Sequence, residues 1–215
     1  MEKTKIILVR HGESLGNARR MLLGHTDLDL SELGYRQAEA CAEALKNEKV
    51  DAIYSSDLLR AYNTAIPHAK MRGLAVQKSL QLREIYLGAW EGKSVADILE
   101  KHADMYEKDW LGAYGTFRFP GGESTVEAGE RFYAEVARIS EENEGKTVLI
   151  AAHAAVIRSF FAKVLGIAPE DIAPKLPFPS NASYSEVCFN GRSFEAGRFS
   201  VDDYLADIGI TKYGA

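Results

Sequence analysis

Strand and helix signals alternate along this chain, which predicts an α/β layered fold on a mainly parallel sheet. Three observations carry that prediction. Lys5–Val9 and the run "KTVLIAAH" from Lys146 are short and apolar, as strands buried on both faces are. Stretches with helical spacing follow the strand-like runs. The one strong hairpin signal, Asn190-Gly191, comes near the end of the chain.

The elements are taken in order. The first strand, about Lys5–Val9, runs straight into Arg10, His11 and Gly12. Ser31 to Lys46 forms a helix: Ser31 is a fitting N-cap, and Ala38, Cys41 and Leu45 share one face. Asp51–Tyr54 is a short strand. A helix begins near Asp57, and Pro67 within it is expected to kink or end it. Ala75–Lys78 is a weak strand. Ser94 to Trp110 reads as helical, with the loop "GAYGTFRFPGGES" behind it. A long helix starts at Gly122 or Glu123 and reaches about Asn143. "KTVLIAAH" is a buried strand, Ala154–Leu165 a helix, and the closing stretch a hairpin around Asn190-Gly191. There is no repeat and no clear linker. Residues 1–215 read as a single domain, with a small cap over the sheet edge around 87–122.

Composition narrows the function. The chain has 215 residues, 46% hydrophobic and 27% charged, enough for a sizeable core. Its net charge of −5 argues against a nucleic-acid partner, which needs many Lys and Arg on phosphates. Cys41 and Cys188 belong to no CxxC pair and read as small hydrophobes in a reduced compartment. The apolar part of "MEKTKIILVR" is too short for a signal peptide. "VLIAAHAAVIRSFFAKVLGIA" is broken by His153, Arg158 and Lys163, so it is no membrane span. The expected location is cytoplasmic.

In open α/β sheets the ligand crevice lies beyond the C-terminal ends of the strands. The first strand delivers Arg10 and His11 there, and the second leads to Arg60 about one turn into the next helix. Glu84 follows the third strand, and His153 ends "TVLIA". Taken singly, Arg60 reads as a surface arginine, Glu84 as a solvated acid and His153 as a core histidine. Their arrival at one edge gives them weight together. The set suits phosphoryl transfer. Arginine forks match phosphoryl oxygens, a neutral imidazole is a nucleophile, and a carboxylic acid protonates a departing oxygen. Gly12 is read as letting the backbone approach the phosphate.

Several look-alikes fall away. "GAWEGKS" has the wrong glycine spacing for a P-loop, and no strand precedes it. "DLDLS" at Asp27 follows no buried strand. None of the five histidines has metal-ligand spacing, so neither metal nor cofactor is expected. "NAS" at Asn181 fits a glycosylation acceptor, with nothing else to support secretion. His25, His68 and His102 are expected at the surface, His25 with a slim claim to the pocket rim.

"LVRHGES…N", "YSSDLLRAYNTA", "LREIYLGAWEGKS", "GGES" and "AAH" together resemble the histidine phosphatase superfamily, in its phosphoglycerate mutase-like branch. The resemblance runs in order over nearly the whole chain. It implies a three-layer α/β/α sandwich. It implies that His11 is the nucleophile that becomes phosphohistidine, and that Arg10, Arg60 and His153 clamp the phosphoryl group. Asn17 would hydrogen-bond that group, with Gly24 and Ala154 as further phosphate-binding positions. Glu84 would protonate the leaving group and then activate water. The expected partner is a small-molecule phosphate ester, with no nucleic acid and no membrane; a homodimer is allowed.

Within that resemblance, mutases carry a hydroxyl residue where this chain has Leu23, and an arginine where it has Ile85. The pocket reads as greasier than a mutase needs, which favours a phosphatase over a phosphoglycerate mutase or a non-catalytic phosphate-binding module. The second histidine, followed by glycine in the family, is followed here by Ala154. The aromatics Trp90, Tyr106, Trp110, Tyr114 and Phe117 either line the entrance or pack the cap on the sheet.

Overall fold

Four consecutive residues, Ile6 to Val9, are fully buried, because both faces of their strand are covered. Ile6 and Leu8 pack in one cluster with Phe132, Val136 and Phe160. Ile7 and Val9 point the other way, against Cys41, Leu45 and Ala65. Side chains alternate along a strand, so one short run fills two cores. Burying four such side chains contributes roughly 6–12 kcal/mol gross, which holds the strand's tip in place.

The computed structural model describes residues 2–211. The strands are β1 (Thr4–Arg10), β2 (Ala52–Ser56), β3 (Val76–Ser79), β4 (Thr147–Ala152), β5 (Tyr184–Phe189) and β6 (Phe194–Ala196). The helices are α1 (Leu15–Ala18), α2 (Glu32–Ala44), α3 (Leu59–Arg72), α4 (Val95–Asp104), α5 (Thr125–Glu142), α6 (Ala154–Val164) and α7 (Ile172–Lys175). The sheet order is β3-β2-β4-β1-β5-β6. The first four strands in that order are parallel, while β5 and β6 are antiparallel additions at one side. α2 and α3 cover one face and α5 and α6 the other, which makes the three layers.

Local chemistry explains most boundaries. The Ser31 side chain accepts from the Gly34 N–H and caps α2. α5 starts two or three residues later than expected from Gly122 or Glu123. Ser124 caps it, and Glu127 reaches back to close a capping box. Pro67 neither ends nor breaks α3, which continues to Arg72. The turns on either side of Pro67 are held by buried Thr64, Ala65, His68 and Ala69. His68 is therefore not a surface residue: it lies on the covered face of α3 with no exposure.

Within the 87–122 segment, the stretch expected as one helix over Ser94 to Trp110 is divided. α4 breaks at His102, whose φ of −144° and ψ of 37° are not helical. Met105–Leu111 then winds as a π-helix, with the Gly112 N–H reaching back to the Glu107 carbonyl at 3.0 Å. Trp90, Tyr106, Trp110, Tyr114 and Phe117 are all buried in the cluster that α5 and α6 share. Tyr114 ties the segment to α6 by donating to the Ala155 carbonyl at 2.7 Å. No helix among the described residues is long and apolar enough to cross a membrane.

Candidate active site

The C-terminal edge of the sheet brings the predicted residues together. β1 ends at Arg10, β4 at Ala152 just before His153, and Arg60 is the second residue of α3. The His11 backbone is fastened on both sides. Its N–H donates to the Ala152 carbonyl at 2.9 Å, and its carbonyl accepts from the Ala182 N–H at 3.1 Å and Asn181 Nδ2 at 3.0 Å.

Gly12 is required by close backbone packing. A Cβ there would lie 2.5 Å from the Gly34 carbonyl oxygen, so the glycine admits the backbone of α2, not a ligand. The Gly12 N–H donates to the Thr64 hydroxyl at 3.0 Å, and that hydroxyl donates to the Arg60 carbonyl at 2.7 Å. The tip of β1 is thereby tied to the turn that carries Arg60.

His11 and His153 are both buried, with ring centroids 5.2 Å apart. His11 Nδ1 lies 2.7 Å from the Gly12 carbonyl. A carbonyl only accepts, so Nδ1 carries the proton and Nε2 keeps its lone pair. Burial first, then the Arg60 and Arg10 charges, push the His11 pKa well below its ordinary 6.5. Burial and Arg60 do the same to His153. Neither ring nitrogen of His153 has a partner among the described residues. Both rings are neutral at physiological pH.

Arg10 Nη1 donates to the Pro179 carbonyl at 2.5 Å. Arg60 donates to two carbonyls, Thr26 at 2.9 Å and Gly24 at 2.7 Å. Burial lowers the Arg60 pKa to about 10, which still leaves it charged at neutral pH. Gly24 thus orients Arg60 through its carbonyl. Asn17 Oδ1 accepts from the Ser14 N–H, the Ser14 hydroxyl and Asn181 Nδ2 at 3.1, 2.9 and 3.2 Å. Its oxygen is occupied on the protein side, which leaves the Nδ2 donors for a ligand.

Glu84 is held against the start of α6. One carboxylate oxygen accepts from the Ile85 and Val156 N–H groups at 3.0 and 3.2 Å, the other from Ala155 at 3.1 Å. The Ala154 amide is at the first helical position, where the helix itself supplies no acceptor. Ala154 is not among the residues with positive φ, so its methyl brings no backbone strain. Among the described residues no three His, Cys, Asp or Glu side chains are gathered as metal ligands would be.

Arg10, His11, Asn17, Gly24, Arg60, Glu84 and Ala154 line one cavity of about 50 Å³, and Leu23 and Ile85 form part of its wall. His25 sits half-buried at its edge, its Nε2–H donating to the Glu84 carbonyl at 2.8 Å. His102 is exposed. Three positions were missed. Asn181 is buried behind His11 rather than a glycosylation site. Glu91 accepts from the His25, Thr26 and Leu87 N–H groups and the Thr26 hydroxyl, all within 2.9 Å. Arg131 donates to the Gln81, Arg83 and Glu84 carbonyls and pairs with Glu123. Trp110, one of the cap aromatics expected either at the entrance or in the packing, lines the cavity. Only "WEG" around Glu91, inside the quoted "GAWEGKS", held a signal.

Comparison with known proteins follows the same lines. The model of the histidine phosphatase superfamily (branch 1) matches residues 6–202. Phosphoserine phosphatase 1 of Hydrogenobacter thermophilus is 31% identical over 212 residues, spanning 98% of this chain and 99% of that protein. A probable phosphoglycerate mutase GpmB of Yersinia pestis is 33% identical over 163 residues, 76% of this chain and 75% of that one. The solved structure of a mycobacterial glucosyl-3-phosphoglycerate phosphatase with VO3 aligns with a TM-score of 0.85 at 30% identity, covering 92% of this chain and 99% of that one.

Proposed function

The chain belongs to the histidine phosphatase superfamily, and on that premise we propose that it is a metal-independent, cytoplasmic phosphomonoesterase that hydrolyses a small organic phosphate ester through a phosphohistidine. The observation that carries the reading is His11: a buried, neutral imidazole with Nδ1 committed to Gly12, in a cavity with two buried arginines.

The reaction has two displacements. The His11 Nε2 lone pair attacks phosphorus as the ester P–O bond breaks, and the Glu84 carboxylic acid gives its proton to the departing oxygen. Glu84, now a carboxylate, then takes a proton from water as that water attacks phosphorus and the P–N bond breaks. Inorganic phosphate leaves and the His11 lone pair is restored. Arg10, Arg60 and the single N–H of neutral His153 face the charge on the equatorial oxygens. Asn17 Nδ2 and the Ala154 amide add donors.

Hydrolysis of p-nitrophenyl phosphate with EDTA present tests this, with wild type beside His11→Ala. Activity in the wild type and none in the variant is expected. An inactive wild type, or equal activity in both, would sink the proposal. A phosphoglycerate mutase is the second reading, favoured by the probable mutase at 33% identity. It predicts phosphoglycerate interconversion primed by a bisphosphate, with little phosphate release. The apolar Leu23 and Ile85 in the wall weigh against it, because a bisphosphorylated intermediate needs extra cations.

A further inference from the structure

Asn17 has to stand at a fixed distance from His11 if its Nδ2 donors are to meet the phosphoryl group. It sits on α1, a helix of only four residues. One turn of helix does not hold itself together in water. Ser14 fixes the Asn17 side chain within that turn. A backbone N–H only donates, so the Asn17 atom that meets it is Oδ1. These bonds are local to the turn, and Asn181 adds one from 164 positions away.

Asn181 Nδ2 donates to the His11 carbonyl at 3.0 Å and to Asn17 Oδ1 at 3.2 Å. Both partners are acceptors, so the Asn181 amide has one workable orientation, with Nδ2 toward them. Its Oδ1 is then buried with no hydrogen-bond partner among the described residues, which is costly. The turn that delivers Asn181 carries a second cost. The Ser183 N–H donates to the Ser180 carbonyl at 3.1 Å and closes a turn whose third residue is Ala182. Ala182 has a φ of 56°, a left-handed conformation that suits glycine or asparagine better than alanine.

Neighbouring bonds hold this turn in place. The Asn181 N–H donates to the Thr211 carbonyl at 2.9 Å and the Ser180 N–H to the Ser200 hydroxyl at 3.1 Å. The Ser180 hydroxyl donates to Asp202, and the Tyr204 hydroxyl to the Ala182 carbonyl. The turn in its place holds the tip of β1. The Arg10 N–H donates to the Ser183 carbonyl at 3.0 Å, and the Ala182 N–H to the His11 carbonyl at 3.1 Å. A strained backbone beside an unpaired acceptor, both held by surrounding bonds, is a pattern that points to function and not to packing.

We propose that Asn181 is a positioning residue for the reaction. By joining Asn17 Oδ1 to the His11 carbonyl, it sets the separation between the nucleophile and the Asn17 donors that meet the phosphoryl group. It touches no reacting atom. The inference rests on the phosphatase reading for the roles of His11 and Asn17, and its test reads binding apart from turnover.

The test is a double-mutant cycle on the dissociation constant of orthovanadate, followed by ⁵¹V NMR. Asn181→Ala should weaken vanadate binding roughly 3- to 10-fold, as the loss of about one hydrogen bond does. The His11 carbonyl keeps the Ala182 N–H in that variant. In an Asn17→Ala background the same change should alter binding less than about 2-fold, because Asn181 acts through Asn17. Equal losses in both backgrounds overturn the proposal, since a general effect on the fold would not depend on Asn17. No loss in either background overturns it too. Asn181→Ser, whose hydroxyl is too short to bridge both acceptors, is run in the same cycle and decides the matter if the alanine variant does not fold. A wild type that binds vanadate but does not hydrolyse p-nitrophenyl phosphate sinks the phosphatase reading, and the cycle alone then upholds or overturns the role of Asn181. A wild type that binds no vanadate overturns both.

Discussion

Glu84→Gln separates the two jobs assigned to Glu84. Glutamine has the same shape but cannot carry the transferable proton. In the folded protein the Glu84 carboxylate accepts three amide N–H groups at 3.0 to 3.2 Å. A glutamine keeps one oxygen and turns an NH2 toward at least one of those donors. The structural loss is about one charge-assisted hydrogen bond, roughly 1.5–3 kcal/mol. For a chain of this length that lowers Tm by about 3–12 °C. The chemical loss depends on the leaving group. General acid catalysis supplies about 10²- to 10⁴-fold, and an alkoxide needs all of it. Nitrophenolate leaves without a proton and needs little of it.

The assay follows from that asymmetry. With ethyl phosphate the variant should lose about 10²- to 10⁴-fold in kcat. With p-nitrophenyl phosphate the first displacement should survive while the water step slows, because Glu84 is also the base. Rapid mixing should show a burst of nitrophenol close to one equivalent of enzyme, followed by slow turnover. An equal loss on both esters with no burst would refute the two roles, leaving Glu84 as a helix cap that holds the fold.

Three further outcomes are expected. Glu91→Gln should weaken inhibition by inorganic phosphate about tenfold. Glu91 binds the 25–26 loop whose neighbouring carbonyls aim Arg60, and unchanged inhibition would show that Arg60 holds its place without it. Gly12→Ala puts a methyl 2.5 Å from the Gly34 carbonyl oxygen and should cost about 1–3 kcal/mol, read from urea unfolding; an unchanged midpoint means the loop and α2 separate freely. Burial holds the His68 pKa at about 3 against an ordinary 6.5. The unfolded state binds the proton first, so this contribution is full above about pH 6.5 and is lost as pH falls toward 3, at roughly 1.4 kcal/mol per unit. His68→Leu should flatten that slope, and parallel pH profiles for variant and wild type would count against it.

What was legible in the sequence was set by short-range patterns. Lys5–Val9 could be read as a strand because both its faces are buried and no polar residue interrupts it. Ser31 could be read as a cap because capping acts over three residues. The convergence of Arg10, Arg60, Glu84 and His153 followed from one topological rule about strand ends. The missed features depend on pairs far apart in the chain. Asn181 reaches His11 across 170 positions, and Arg131 reaches Gln81 across 50. His68 is buried because its face of α3 meets the sheet, and a single histidine gives no sign of which face that is. α1 is only four residues long, shorter than any periodic signal. Trp110 is ambiguous in the sequence because an aromatic suits core and pocket alike, and the structure gives it both: four rings pack around it and it lines the cavity.

The start of α6 links these roles. His153 occupies the N-cap position but makes no side-chain cap, and histidine is a poor capping residue. The cap comes instead from Glu84, 71 positions away, on the Ala155 and Val156 amides. That exchange leaves both ring nitrogens of His153 without a protein partner among the described residues. It also sets the proposed acid beside the same helix end that offers the Ala154 amide. Hydrogen bonds from the Ala155 and Val156 amides fix where the Glu84 carboxyl group lies. The helix end therefore holds in one place the carboxyl group that the proposed reaction uses first as acid and then as base. A methyl at Ala154 disturbs none of this, since the helix needs only its backbone N–H.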